Sequence, residues 1–169
     1  MLRSSPIIGE NLPAADRLEI VSGWRDRGNA AWVLAGTTSN ERYVTRQEKN
    51  ELGAVQEGLG RPASRCAALI PLRKSDAWWA MPQDERRKIF EEQSAHVRIG
   101  LSFLPAIARR LHHCRDLGVD APFDFLTWFE FAPADTNAFE DLVAQLRASP
   151  EWKFVTREVD IRLERDPLL

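Results

Sequence analysis

Three histidines are the first residues of this 169-residue sequence to examine for chemistry. They are His96, His112 and His113, so the search for a metal-binding imidazole is short. In a predicted helix over residues 83–104, His96 lies on a stripe of helical spacing that should face a sheet. An inward histidine can ligate a metal, although a hydrogen-bonded core histidine is the commoner explanation.

The same stripe includes a glycine one helical turn after His96. It consists of Ile89, Gln93, His96, Gly100 and Leu104. Glycine in a helix interior costs up to ~1 kcal/mol relative to alanine. This cost is understandable if a broad, flat ligand must lie close to the helix backbone at Gly100.

Arg109 is the second candidate for chemistry. In a predicted strand over residues 106–114, alternation places it on the same face as Ile107 and Leu111. A guanidinium keeps its charge because its pKa exceeds ~12, and burying it without a partner is costly. Either an anionic substrate held near Arg109 or a buried carboxylate partner would explain this position.

Aromatic and basic residues extend the candidate site. The chain has six tryptophans, of which Trp78 and Trp79 are adjacent. On a strand the two would point to opposite faces, so one would be left for a large flat ligand or for an interface between subunits. Lys74 ends a predicted strand, 66–74. Its ammonium could meet a carboxylate of a ligand at the mouth of a pocket, or it could simply be exposed to solvent at the end of the strand.

The order of predicted elements indicates an α+β fold. Residues 1–29 are predicted to form an arm with little regular structure, and residues 31–44 an extended segment. Thr45 with Glu48 fits the capping box of a helix. From residue 66 the prediction is strand 66–74, helix 83–104, strands 106–114 and 123–131, a helix after Asp135, and strand 152–163. The helix after Asp135 should carry an amphipathic stripe of Phe139, Leu142, Val143 and Leu146.

This βαββαβ order is that of a ferredoxin-like unit, preceded by a partial βα unit. We therefore divide the chain into an N-terminal arm and reduced βα part, 1–62, and a C-terminal ferredoxin-like part, 63–169. Pro71 indicates a sheet edge or a bulge in strand 66–74. The strands are apolar on both sides, so a second sheet that closes a barrel should cover the face without helices.

Composition excludes several classes of function. A formal net charge of −2, with both signs spread along the chain, argues against nucleic-acid binding and against a membrane-surface protein. No apolar run approaches the ~20 residues that span a bilayer, and the first residues lack the apolar segment of a signal peptide. We therefore expect a cytoplasmic protein with small-molecule partners. Cys66 and Cys114 form neither a CxxC pair nor a zinc spacing.

Five stretches of the sequence resemble the chlorite dismutase family, specifically its short dimeric branch. They are SNERYVTR, CAALIPLRKSDAWW, RRKIFEEQSAHVRIGLSFLPAIARRLHHCRDLG, FDFLTWFEFAP and REVDIRL, and they span about residues 39–163. The resemblance implies a homodimeric α+β barrel that binds haem b. Since the chain has no CxxCH motif, the haem would be held without thioether bonds.

The resemblance also implies roles for individual residues. His96 would be the proximal iron ligand, and Arg109 the flexible distal arginine and the catalytic residue. Glu151 aligns loosely with the glutamate that hydrogen-bonds the proximal histidine in this family. The residues similar to those that line the haem and its propionates are Tyr43, Lys74, Trp78 and Trp79.

The implied reaction is the conversion of chlorite to chloride and dioxygen through a ferryl species and transient hypochlorite, which Arg109 would hold in place. One alternative in the same superfamily is a coproporphyrin-haem decarboxylase. That branch has a glutamine at the distal position and needs a catalytic tyrosine, whereas this chain has Arg109 there and Tyr43 as its single tyrosine. The other alternative is a haem-binding sensor or carrier without turnover.

Overall fold

The computed structural model describes residues 2–23, 28–39, 43–55, 57–118 and 121–165. These residues form one antiparallel sheet with the strand order β1-β6-β3-β5-β4-β2. The strands are β1 Leu2–Ile8, β2 Thr37–Thr38, β3 Cys66–Lys74, β4 Ala108–His113, β5 Phe125–Phe131 and β6 Val155–Glu164. The α+β class and the βαββαβ order from residue 66 onward are confirmed.

The helices lie between these strands along the chain. They are α1 Arg46–Val55, α2 Asp76–Ala80, α3 Gln83–Arg87, α4 His96–Ser102 and α5 Thr136–Arg147. The capping box of α1 is confirmed, because the Thr45 amide donates to Glu48 Oε2 (2.6 Å) and the Glu48 amide donates to Thr45 Oγ1 (3.2 Å). No helix formed by the described residues combines the length and apolar character needed to cross a bilayer.

The single helix predicted over residues 83–104 is interrupted. A π-helical turn, Lys88–Gln93, follows α3, and Ala95 adopts a left-handed conformation with φ of 53°. The Val97 amide at the start of α4 donates to Glu91 Oε2 (2.7 Å), which satisfies a donor that the break leaves without a helical partner. His96 is therefore the first residue of a new helix rather than the middle of a long one.

The helix face of the sheet contains the larger core. The predicted stripe of α5 is confirmed, since Phe139, Leu142, Val143 and Leu146 are all buried. They pack against sheet residues that include Ile70, Phe129 and Phe131. Asp135 precedes α5 as expected, although its side chain makes no capping hydrogen bond.

The other face of the sheet is covered by the N-terminal arm. Leu12, Leu18, Trp32 and Leu34 pack on a cluster of sheet residues that includes Leu69, Leu126, Val159 and Ile161. Phe123 belongs to this cluster and not to the face of Phe125 and Phe129, because it precedes β5. In the described residues this face carries the arm, where a second sheet was expected.

The N-terminal part contributes both edges of the sheet. The prediction of an irregular arm is wrong for Leu2–Ile8, which pairs with β6 along its length. Of the extended segment 31–44, Thr37 and Thr38 pair with β4, and positions 40–42 lie outside the described residues. The division into parts 1–62 and 63–169 stays a prediction, although strands of both parts share the sheet.

The expected edge position of Pro71 is wrong. Strand β3 pairs with β5 on one side and β6 on the other, so Pro71 lies in a central strand. It pairs with Leu126 of β5, whereas the β6 side has paired residues at Leu69 and Leu72 but none between them. The missing N–H of proline thus falls in an interrupted part of the ladder.

A bulge lies three residues further along, on the partner strand. Arg73 pairs with Arg157 and Lys74 with Val155, so Thr156 is the extra residue. The bulge moves Val155 to the face of Leu72 and Phe125, while Val159 and Ile161 face the arm.

Candidate functional site

A cavity of about 390 Å³ lies between the sheet and helices α1, α4 and α5. Its sheet side is formed by alternate residues of β3, β4 and β5, namely Ile70, Leu72, Lys74, Arg109, Leu111, Phe125, Thr127 and Phe129. The helices and loops add, among others, Tyr43, Trp78, Phe90, His96, Val143 and Glu151. Six of the seven site residues predicted from the sequence therefore meet in one cavity.

His96 is held by a carboxylate. Its Nδ1 lies 2.7 Å from Glu151 Oε2, and Glu151 comes from the 3-10 turn Pro150–Phe154 that links α5 to β6. The Glu151 amide also donates to Ser94 Oγ (2.9 Å), which ties the turn to the segment before α4. With Nδ1 donating to Glu151, Nε2 is the nitrogen left to bind a metal.

Lys74 completes this arrangement from the opposite side of Glu151. Its Nζ donates to Glu151 Oε1 over 2.6 Å, and the residue is only 3% exposed. The expected position of Lys74 at the mouth of a pocket is therefore wrong. The bulge at Thr156 lies where β3 ends, and the ammonium is directed to a buried carboxylate rather than to solvent.

The charges of this trio depend on one another. Burial by itself raises the pKa of Glu151, but the charges and hydrogen bonds of His96 and Lys74 outweigh it and hold the pKa at about 2. Burial lowers the pKa of Lys74, and Glu151 opposes that shift. Glu151 is therefore an ionised acceptor at neutral pH and keeps the proton of His96 on Nδ1.

Arg109 spans the cavity from the sheet to the helix that carries His96. A Cβ built on Gly100 would lie 2.8 Å from both Cζ and Nη2 of Arg109, and closer still to Nη1. The group close to Gly100 in this structure is thus the guanidinium. Burial lowers the pKa of Arg109 and the Glu91 carboxylate opposes the shift, but a guanidinium remains charged in either case.

Tyr43 and Trp78 form an aromatic wall of the cavity. The Tyr43 hydroxyl accepts a hydrogen bond from Arg86 Nη1 (3.0 Å), and its ring lies 5.6 Å from that of Phe90. Trp78 is 1% exposed, and its buried Nε1 has no hydrogen-bond partner among the residues that the structure describes. Lys74 Nζ lies 4.4 Å from the centroid of the Trp78 ring.

Trp79 is not among the residues that line the cavity. Both tryptophans lie on helix α2 and not on a strand, so their side chains diverge by the helical turn angle. Trp79 Nε1 donates to Asp124 Oδ2 (3.1 Å), and its ring stacks on Phe125 with centroids 5.9 Å apart.

A second buried carboxylate at the cavity, Glu158, was not predicted from the sequence. Glu158 is 0% exposed and accepts hydrogen bonds from Arg147 Nε and Trp152 Nε1, both at 2.8 Å. Glu158 and Arg147 both line the cavity. No pattern in the sequence marked Glu158, because it alternates with Val159 and Ile161 as a residue on the solvent face of a strand would.

Comparison with known proteins gives a consistent set of similarities. A family model described as chlorite dismutase matches residues 17–164. A curated chlorite dismutase from Ideonella dechloratans is 33% identical over 126 residues, which cover 73% of this chain and 41% of the relative. The chain therefore spans about two fifths of the length of that relative.

Solved structures extend the comparison to the fold. The dimeric chlorite dismutase of Nitrobacter winogradskyi is 56% identical, with a TM-score of 0.89 over 96% of this chain and 91% of that one. A mutant chlorite dismutase from Candidatus Nitrospira defluvii in complex with cyanide is 26% identical, with a TM-score of 0.62 over 78% of this chain and 53% of the other.

Proposed function

Because this chain belongs to the chlorite dismutase family, we propose that it is a haem enzyme that converts chlorite to chloride and dioxygen. The observation that carries the proposal is the carboxylate-bound His96 facing the same cavity as the Arg109 guanidinium. One group can ligate iron, and the other can attract an anion.

The residues of the cavity fit a haem. His96 offers Nε2, while Glu151 holds Nδ1. The buried Trp78 Nε1 needs an acceptor, and a propionate carboxylate is one. Apolar side chains such as Leu111 and Phe129 suit the porphyrin ring. When bound, haem would supply the redox-active iron for the reaction.

His96, Glu151 and Lys74 act as one unit in this proposal. The negative charge of Glu151 on Nδ1 makes the imidazole a more basic ligand and fixes the orientation of its ring. His96 and Lys74 together keep Glu151 ionised in its buried setting, because both lower the pKa of its carboxyl. The unit therefore sets the strength of the proximal ligand without contact with the substrate.

Arg109 supplies the positive charge inside the cavity. Chlorite and its chlorine-containing products are anions, and a cation attracts them more strongly in a cavity of low dielectric than in water. The guanidinium would bind chlorite, orient it and retain an anionic product until the O–O bond of dioxygen has formed. Arg109 is thus the proposed catalytic residue.

Three finer points belong to the same proposal. Haem b is supported by the absence of a CxxCH motif in the sequence. A homodimer is supported by the dimeric relative from Nitrobacter winogradskyi. A location in the cytoplasm rests on the sequence alone, and cell fractionation would test it.

The proposal is tested with purified, haem-loaded protein, an absorbance spectrum and an oxygen electrode. We expect a Soret band and rapid oxygen release on addition of chlorite. Arg109→Ala should keep the Soret band and lose most of the turnover, whereas His96→Ala should lose haem affinity. His112→Ala is the control, because His112 does not line the cavity. Haem binding without oxygen release would instead favour a sensor or carrier, and unchanged turnover in Arg109→Ala would remove its assigned role.

A further inference from the structure

Glu158 holds two residues of the segment that precedes it in the chain. Its Oε2 accepts a hydrogen bond from Trp152 Nε1, and its Oε1 accepts one from Arg147 Nε, both at 2.8 Å. Arg147 ends α5, and Trp152 belongs to the 3-10 turn Pro150–Phe154. A single buried carboxylate therefore ties the end of the helix to the turn that carries Glu151.

The contact between Glu151 and His96 depends on where this turn lies. Glu151 Oε2 is 2.7 Å from His96 Nδ1, and a hydrogen bond weakens steeply when its distance or angle departs from the best geometry. Trp152 is the next residue after Glu151, and its side chain packs against core residues on both sides of the turn. The hydrogen bond from Trp152 to Glu158 thus fixes the position next to Glu151 on β6.

These contacts follow the wall of the cavity. Arg147, Trp152 and Glu158 belong to one continuous segment, and all three line the cavity. Their hydrogen bonds join residues within that segment, so they do not cross the space between His96 and Arg109. A haem between the imidazole and the guanidinium is therefore compatible with them.

We propose that Glu158 is a positioning residue for the proximal ligand, because by holding Trp152 it fixes the turn that directs the Glu151 carboxylate to His96 Nδ1. Glu158 acts through Trp152 and Glu151 and not on the imidazole itself. The effect on an iron ligand rests on the proposed function, whereas the fixing of the turn does not.

Hydrogen exchange followed by mass spectrometry tests the fixing of the turn in the full chain, with or without haem. Trp152→Phe keeps an aromatic ring in the core and removes the Nε1 donor. The peptide 148–154 should then exchange about tenfold faster, since the loss of a hydrogen bond to a charged group eases local opening. Glu158→Gln should change the exchange in the same direction, because its amide has one acceptor oxygen for two donors.

Asp160→Asn is the matched control. Asp160 lies two residues further along β6, is 5% exposed, and accepts hydrogen bonds from Arg147 and Arg162 rather than from the turn. Its replacement disturbs the same group of charges and should leave the exchange of peptide 148–154 unchanged. Trp152→Phe carries the test if Glu158→Gln does not fold, because it leaves no buried charge without a partner. Unchanged exchange in Trp152→Phe, or an equal increase in Asp160→Asn, would overturn the fixing of the turn.

Resonance Raman spectra of the reduced, haem-loaded protein test the positioning role. A carboxylate that hydrogen-bonds Nδ1 makes the imidazole a stronger ligand, so a misplaced Glu151 should lower the iron–histidine stretching frequency. We expect this shift in Trp152→Phe and in Glu158→Gln but not in Asp160→Asn. An unchanged frequency in Trp152→Phe, or an equal shift in Asp160→Asn, would overturn the role. Neither measurement uses chlorite, so a failure to release oxygen would refute the proposed function alone.

Discussion

Replacing Glu151 by glutamine should destabilise the protein by an amount that depends on pH in a specific way. The folded state holds the pKa of Glu151 at about 2, below its usual 4.5. A difference of this size corresponds to about 3 kcal/mol of stability, at 1.36 kcal/mol per pKa unit. The residue is 4% exposed, so solvent screens little of this contribution.

The sign follows from the direction of the shift. A folded-state pKa below the unfolded value stabilises the protein above pH 4.5, and the contribution disappears as the pH falls to about 2. Glu151→Gln keeps the shape of the side chain but leaves the Lys74 ammonium buried without its carboxylate, a change that typically costs about 3–5 kcal/mol. The difference in free energy of unfolding between wild type and variant should therefore be large at pH 7 and should decrease as the pH falls from 4.5 to 2.

The assay is urea unfolding followed by circular dichroism at pH values from 7 to 2.5. Glu140→Gln serves as the control, because Glu140 has 54% of its side chain exposed in its salt bridge with Arg162, and such pairs contribute at most about 1 kcal/mol. Adding Lys74→Met to Glu151→Gln should recover part of the loss, since no buried charge then lacks a partner. The coupling of Glu151 to Lys74 and His96 would be contradicted if the loss in free energy of unfolding caused by Glu151→Gln stayed constant with pH. A loss equal to that of Glu140→Gln would contradict it as well.

Two further predictions concern the cavity wall and the core. Trp78→Phe should weaken haem binding in a haem-transfer titration, because it removes the buried Nε1 donor. Trp79→Phe should leave the haem affinity unchanged, since Trp79 does not line the cavity. Equal effects of the two substitutions on the affinity would refute this distinction. Leu142→Ala, at a residue 1% exposed, should cost about 3 kcal/mol in urea unfolding. Leu117→Ala, at a residue 52% exposed, should cost less than about 0.5 kcal/mol, and a similar loss in both variants would place Leu142 outside the core.

Much of the fold could be predicted from the sequence because it depends on local patterns. Three local patterns predicted observed features. The apolar run over 66–74 gave the bounds of that strand, and the three-residue spacing of Thr45 and Glu48 gave the capping box. The helical period of the apolar residues gave the buried stripe of α5. Such patterns need no information about distant residues. The class and order of the elements follow from them.

Features that depend on partners far along the chain could not be predicted in this way. Strand β1 forms because β6 offers it an edge, and β6 is more than 140 residues away. The bulge at Thr156 and the break at Ala95 change which side chains face the cavity. No periodicity within either segment records these changes.

The candidate site shows the same division. His96 and Arg109 could be singled out from the sequence alone, since imidazole and guanidinium groups on apolar faces are uncommon. The resemblance implied the contact of His96 with Glu151 only loosely, and the contact of Lys74, 77 residues away, with the same carboxylate became visible only in the folded chain. The physical reason is that a buried carboxylate is stable only where folding brings cationic or hydrogen-bonding partners to it, and those partners come from different elements.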